Sequence, residues 1–256
     1  IYTMKTRDDI PICIENIASG NARLALDLVR MFFASGHVNT ENIVQIYQNQ
    51  GNYLVPIHEF VSAIIYGDSA HYDPSRSYVC NIFDTGSMDP KEHFVLPSLI
   101  YNMSIWNPSE VRDGFIETNK VYKRMQGFGY DTLQIDRAMS RAGKYRLIEA
   151  VARRTPNPKL SYPPSIRVTP VGLYHIQYLS RMFAYLDPMV VDTPVLIEDY
   201  REQLGEAGTI EARLARSKVF LSYLDAQWEQ VALRDQVFPW ETVSEALKAD
   251  FDRVKA

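Results

Sequence analysis

The spacing of hydrophobic and polar residues predicts a mainly helical chain. In the first predicted helix, residues 19–35, leucine, methionine and phenylalanine side chains recur at helical intervals, which places them on one face. Ser19 is a favourable N-cap for this helix, and Gly36 ends it. The same periodicity predicts three further helices, at residues 41–48, 56–66 and 91–106. Before the last of these, residues 67–90 mix aspartate, serine, proline and glycine with aromatic residues, which is typical of a packed loop.

The middle of the chain combines two short helices with two strands. The helices are predicted at residues 118–126 and 132–143 and are joined by a glycine-containing turn. Alternating apolar residues predict a strand over residues 145–152, and residues 165–168 form the return strand after a loop with four prolines. A Thr-Pro pair then opens a long helix, residues 169–186. This order of elements predicts a winged helix-turn-helix with a two-stranded wing.

The C-terminal part is predicted to be helical throughout. One or two amphipathic helices cover residues 194–235 with a break near 205–208, and a last helix covers residues 241–254. An apolar stripe in the second half of the first stretch is typical of helix-bundle core, and it also allows a homo-oligomer through the C-terminal helices. We therefore expect a helical lid-like segment at residues 1–66, a winged-helix domain with its preceding aromatic loop at 67–191, and a helical extension at 192–256.

Composition and charge indicate the cellular compartment of the chain and the class of partner that it binds. The chain is 46% hydrophobic and 23% charged and has two cysteines, which favours a folded protein in a reducing, cytoplasmic environment. No run approaches the roughly 18 apolar residues of a membrane helix. The net charge of −4 argues against a nucleic-acid binder, but residues 120–181 hold twelve Lys or Arg against three acidic residues. That stretch is therefore +9 and the remainder −13, which predicts a polyanion-binding surface in the middle of the chain.

These cations fall on the surfaces by which a winged helix contacts duplex DNA. In the second helix the apolar residues project to one side and the polar residues share the other. Glutamine and arginine make paired hydrogen bonds to purine edges in the major groove, and cations on the wing and the preceding helix bind phosphates. The predicted DNA-binding residues are Lys120, Lys123, Arg124, Gln134, Arg137, Arg141, Lys144, Arg153, Arg154 and Lys159.

The run Ser-Gly-Asn-Ala-Arg-Leu-Ala-Leu-Asp, residues 19–27, resembles the opening of the sensor-2 helix in the lid of AAA+ ATPases, particularly replication initiators and STAND-like groups. Those families also place a winged helix after the lid. The resemblance implies that Arg23 points to the terminal phosphate of a nucleotide, a task that suits a permanently charged guanidinium. It also implies that an upstream ATPase domain is a partner and that ATP and Mg²⁺ are cofactors of the parent chain.

The chain itself lacks the residues of a catalytic site. It contains no G-x-x-x-x-G-K-[ST] sequence for binding phosphates, and its histidines do not have the spacing of a zinc-protease helix. We therefore expect no catalytic residue, metal or cofactor here, and interpret the chain as the non-catalytic C-terminal region of a prokaryotic P-loop ATPase that binds double-stranded DNA. Two alternatives stay open: a winged helix that serves protein interaction or autoinhibition, and a one-component transcription regulator that dimerises through residues 209–235.

Overall fold

A computed structural model gives the architecture of the chain. It describes residues 8–35, 44–45, 48–49, 55–151, 163–205, 208–231, 233 and 237–255. Within these residues the fold is mainly helical, with eleven α-helices and one small three-stranded antiparallel sheet. The predicted helix over residues 41–48 falls mostly outside the described residues.

Three helices form the N-terminal part: α1 (Asp9–Ala18), α2 (Ala22–Ala34) and α3 (Ile57–Tyr66). Helix α1 was not predicted from the sequence, and the N-cap of α2 is not the predicted Ser19. Ser19 has left-handed backbone angles and ends α1. The N-cap of α2 is Asn21, whose side-chain oxygen accepts the Leu24 N–H at 3.1 Å. An asparagine satisfies a free amide of the first turn as well as a serine does, so the helix begins two residues later than the Ser19 cap predicts.

Helix α4 (Glu92–Ser104) leads into the only sheet of the described chain. Strand β1 (Ile116–Glu117) precedes α5 (Thr118–Gly127) and α6 (Thr132–Lys144), and β2 (Ile148–Ala150) and β3 (Ser165–Val168) follow. Both β1 and β2 pair antiparallel with β3, which lies at the centre of the sheet.

Strand β2 is shorter than the predicted strand over 145–152, because the first residues of the predicted strand complete the C-terminal end of α6 instead. The amide of Tyr145 donates to the carbonyl of Arg141, and the amide of Leu147 donates to that of Ala142 at 2.8 Å. Their apolar side chains are buried, so their alternation looks like a strand in the sequence while their backbone groups complete a helix end.

The predicted single helix over 169–186 is two helices. Helix α7 (Pro170–Gln177) has Thr169 as its N-cap, as predicted, but a 3₁₀ turn separates it from α8 (Phe183–Asp192). At the start of α8 the Phe183 amide donates to the side chain of Asp250, 2.8 Å away. The Phe183 N–H thus donates to a carboxylate distant in the sequence, whereas in a continuous helix it would donate to a backbone carbonyl of the preceding turn.

Three helices complete the chain: α9 (Glu198–Gln203), α10 (Ile210–Val231) and α11 (Trp240–Lys255). The apolar stripe of α10, including Leu221, Leu224 and Trp228, is buried against the rest of the molecule, so this stripe is core rather than an open oligomer contact. Buried hydrophobic residues from α1 to α11 form one continuous cluster. Among the described helices, none combines the length and apolar character that crossing a bilayer requires.

Candidate functional site

Helix α6 begins with a capping box that buries a predicted DNA-reading residue. The Asp131 carboxylate accepts the Gln134 N–H at 2.8 Å, and the Gln134 side-chain oxygen accepts the Asp131 N–H at 3.0 Å. The Gln134 amide also donates to the Asp89 carboxylate at 2.8 Å, and the residue is only 2% exposed. The expectation that Gln134 faces solvent is therefore wrong. The Asp-x-x-Gln spacing, a signature of this cap, was the available signal.

Arg137, one turn further along α6, forms an ion pair with a buried carboxylate. Its Nε lies 2.6 Å from Oε1 of Glu92, in the first turn of α4. The aliphatic stem packs close to Gly86, where an added Cβ would lie 3.3 Å from the Arg137 Cδ. The Nε side of the guanidinium thus faces the Glu92 carboxylate, while a third of the side chain stays exposed.

Arg141 and Lys144 continue the same row. The Arg141 guanidinium lies 2.7 Å from Oδ2 of Asp84 and also donates to the Asp84 backbone carbonyl at 2.5 Å. Burial raises the pKa of Asp84, and the charge of Arg141 opposes that shift. The Lys144 ammonium donates to the carbonyl of Pro74 at 3.3 Å. All four predicted reading residues of α6 therefore contact residues 72–92, which we call the covering segment.

The covering segment is anchored in the core by buried side chains. His175 of α7 accepts the Cys80 N–H at 3.0 Å through Nε2, and its Nδ1 lies 2.7 Å from the Val171 carbonyl. Burial lowers the pKa of His175 to about 4, which keeps the ring neutral. The Tyr185 hydroxyl donates to the Cys80 carbonyl and accepts the Ile82 N–H. Exposing α6 would therefore require the surrounding core to open.

The remaining predicted DNA-binding residues have fewer contacts with the chain itself or lie outside the described residues. Lys120 lies 3.5 Å from the Glu117 carboxylate, and the Arg124 guanidinium stacks 3.7 Å from the centroid of the Trp106 ring. Lys123 is exposed and has no partner among the described residues. Arg153, Arg154 and Lys159 of the predicted wing lie outside the described residues.

The first two turns of α6 expose an apolar and an acidic residue to solvent, whereas its last turn exposes Lys144. Leu133 is 60% exposed, and Asp136 is exposed on the next turn, where it accepts a hydrogen bond from the Tyr122 hydroxyl. Met88 of the covering segment is 77% exposed and adjoins Asp89, which binds Gln134. The surface made by these first turns and Met88 does not have the cationic character that contact with phosphates needs.

A second exposed face lies on α2. At about 100° per residue, Arg23, Leu26, Arg30 and Phe33 share one side of the helix, opposite its buried residues. Leu26 is 72% and Phe33 51% exposed. Arg23 is exposed and unpaired within the described chain, and Arg30 lies 3.4 Å from the Asp27 carboxylate. Two large apolar residues in the middle of a polar face are the sequence signal for this surface, which is not among the predicted sites.

The described residues hold no group of three or more His, Cys, Asp or Glu side chains arranged to bind a metal ion. His93 is buried, and its ring nitrogens contact the Phe83 carbonyl and the Tyr223 hydroxyl, each at 2.7 Å. Burial raises the pKa of both the Cys13 and Cys80 thiols, Cys13 to about 12, so neither is an activated nucleophile.

Comparisons with protein-family models, with curated proteins and with solved structures return no match for this chain.

Proposed function

We propose that the chain is the non-catalytic lid and winged-helix region of a larger P-loop ATPase. The exposed face of α2 is the observation that carries this proposal. Leu26 and Phe33 lie in the middle of the solvent side of the helix, with Arg23 and Arg30 beside them. Grouped apolar side chains of this kind are typical of a surface that another domain covers. The resemblance of this run to a sensor-2 helix supplies the partner, a nucleotide-binding domain of the parent chain.

In this proposal Arg23 contacts the terminal phosphate of ATP held with Mg²⁺ by that domain. Arg23 is the second residue of α2, close to the positive end of the helix dipole. The side chain and the helix end therefore both favour a negatively charged group. No acidic residue of the described chain neutralises the Arg23 guanidinium, which leaves it free for such a ligand.

Substitution of Arg23 in the parent polypeptide tests this role. We expect Arg23→Ala to lower the rate of ATP hydrolysis at least tenfold, because a hydrogen bond to a charged group contributes about 1.5–3 kcal/mol. Arg201→Ala, which removes an exposed arginine from α9, is the matched control and should leave hydrolysis unchanged. Equal rates for the two variants, or an upstream coding sequence without a P-loop, would contradict the proposal.

We also infer that the residues from α4 to β3 form a winged helix and that it contacts protein, not duplex DNA. The order α4, β1, α5, α6, β2, β3, with β3 central in the sheet, supports the first part. The second part is supported by the occupation of the α6 row: Gln134, Arg137 and Arg141 bind acidic residues of the chain itself. The exposed acidic residues of the first turns of α6, Asp131 and Asp136, point the same way, since they would repel phosphates.

Duplex binding at varied salt tests this inference. Contacts with several phosphates would make the binding of a random-sequence duplex weaken steeply between about 50 and 200 mM salt. We expect the chain to show no such binding. If the chain binds duplex DNA and Arg137→Ala with Arg141→Ala abolishes that binding at unchanged stability, the polar row of α6 is a DNA-reading face after all. If the chain binds duplex DNA and the triple alanine variant at 153, 154 and 159 abolishes that binding, DNA contact belongs to the predicted wing. This result would also contradict the inference that the winged helix contacts only protein.

A further inference from the structure

The open face of α6 and the tip of the covering segment form one surface, which we call the acid-flanked patch: Met88, Asp89, Asp131, Leu133 and Asp136. The hydrogen bond between Asp89 and Gln134 joins its two parts at 2.8 Å. Met88 and Leu133 are the two most exposed large apolar residues in this region. The patch therefore combines apolar side chains that lack cover with three carboxylates at their border.

The hydrogen-bond donors to the three carboxylates are backbone amides, a side-chain amide and a hydroxyl. Asp131 accepts the Gln134 N–H, Asp136 accepts the Tyr122 hydroxyl, and Asp89 accepts the Lys91 N–H and the Gln134 amide. All of these donors are neutral groups. Within the described residues no lysine or arginine forms an ion pair with any of the three, whereas the neighbouring Asp84 and Glu92 each bind an arginine. The acids at the patch are thus left for a cation from outside.

We propose that the acid-flanked patch docks a cationic amphipathic helix of a partner protein. Charge complementarity selects the partner: lysine or arginine side chains meet the three aspartates, and apolar side chains between them cover Leu133 and Met88. The exposed ridge of α6, in which Leu133, Asp136 and Ser140 are three and four residues apart, is the surface against which a second helix packs. This proposal rests on the inference that the winged helix contacts protein, and it adds the chemistry of the partner.

A pair of labelled peptides serves as the probe. One is an amphipathic helix with leucine on one face and lysine on the other, and its twin carries glutamate in place of every lysine. We expect the lysine peptide to bind the full chain with an affinity that falls as salt rises, and the glutamate twin not to bind. Fluorescence anisotropy measures both.

Two variants locate the binding. Leu133→Lys replaces an exposed apolar residue by a cation and should weaken binding of the lysine peptide at least tenfold. Ile105→Lys makes the same change at a residue that is 54% exposed at the end of α4, and should leave binding unchanged. Thermal melting of both variants checks that the fold is kept.

Three results would overturn the proposal: equal peptide binding by both variants, binding of the glutamate twin as strong as that of the lysine peptide, or a dimer in sedimentation that Leu133→Lys converts to monomer. The last would show that a second copy occupies the patch. If neither the lysine peptide nor duplex DNA binds the full chain, only this inference fails, and the proposed function stands. Duplex binding through α6 or the wing would remove the proposed function as well.

Discussion

At the scale of single residues, buried polar side chains decide the path of the covering segment. His175 and Tyr185 bind the backbone on both sides of Cys80, and Asn81 donates to the Thr193 hydroxyl at 2.8 Å. Each of these contacts satisfies a polar group that burial would otherwise leave at a cost of about 1–3 kcal/mol. An irregular stretch of chain can therefore lie in the core without helix or strand.

The neutral state of His175 makes stability depend on pH. The folded pKa is about 4, below the ordinary 6.5, so the unfolded chain takes up a proton as pH falls through 6.5 and the folded chain does not. Stability is therefore fully present above pH 6.5 and is lost between 6.5 and 4; this group alone costs about 2 kcal/mol at pH 5. We expect urea unfolding at pH 7.5 and pH 5 to show this loss.

His175→Gln should reduce the pH dependence of the urea midpoint, although its stability at pH 7.5 will be lower. His71→Gln, which changes an exposed histidine, should keep the dependence of the parent. A His175→Gln chain that loses as much stability on acidification as the parent would show that His175 is not the responsible group.

At the scale of elements, α6 is attached to the covering segment and α4 by ion pairs on one side and by apolar packing on the other. Ile135, Ala138 and Ala142 are buried, as the sequence periodicity predicts. The polar side of the helix was predicted to be open, but Glu92 and Asp84 approach it from far away in the sequence. Helical periodicity separates apolar from polar faces and does not reveal which acid will meet a polar face.

Removal of these ion pairs should destabilise the fold. We expect Arg137→Ala with Arg141→Ala to lower the free energy of unfolding by about 2 kcal/mol or more, because Glu92 is left buried and unpaired. Adding Glu92→Gln should recover part of the loss, since a neutral amide is cheaper to bury. Lys123→Ala, at an exposed and unpaired position, is the control. A double variant with the melting temperature of the parent would mean that the pairs contribute nothing.

At the scale of the whole molecule, the three segments expected from the sequence share one core. Trp240 of α11 packs on Phe83 of the covering segment with ring centroids 5.6 Å apart, and Trp228 of α10 packs on Phe94 at 4.9 Å. The buried Asp187 of α8 binds Arg213 and Arg216 of α10. The C-terminal helices thus cover aromatic residues that would otherwise face water.

Truncation tests this shared core. We expect a chain ending at residue 191 to lose cooperative thermal unfolding and near-UV circular dichroism, because Phe83, Phe94 and Asp187 lose their partners. The full chain with Lys218→Ala, an exposed position on α10, should unfold as the parent does. A cooperatively folded fragment would show that the C-terminal helices are an independent appendage.

Local signals in the sequence predicted much of the fold and little of the surface chemistry. Helix α3, strand β3 and the Thr169 cap follow from periodicity and turn residues within a few positions. The break before Phe183 does not, because its cause is Asp250. The same holds for Arg137 and Arg141: their partners lie 45 and 57 positions earlier, and only the folded chain brings them together.

The bond between the Phe183 amide and Asp250 spans 67 positions, which has a consequence for biosynthesis. A ribosome delivers residue 183 before residue 250, so the polypeptide emerges before the junction of α7 and α8 can form this bond. The aromatic residues that α10 and α11 cover in the folded chain are exposed to water at that stage. We therefore expect this junction to reach its native packing only after α11 has been translated, and we expect chaperones to bind the exposed aromatic residues until then.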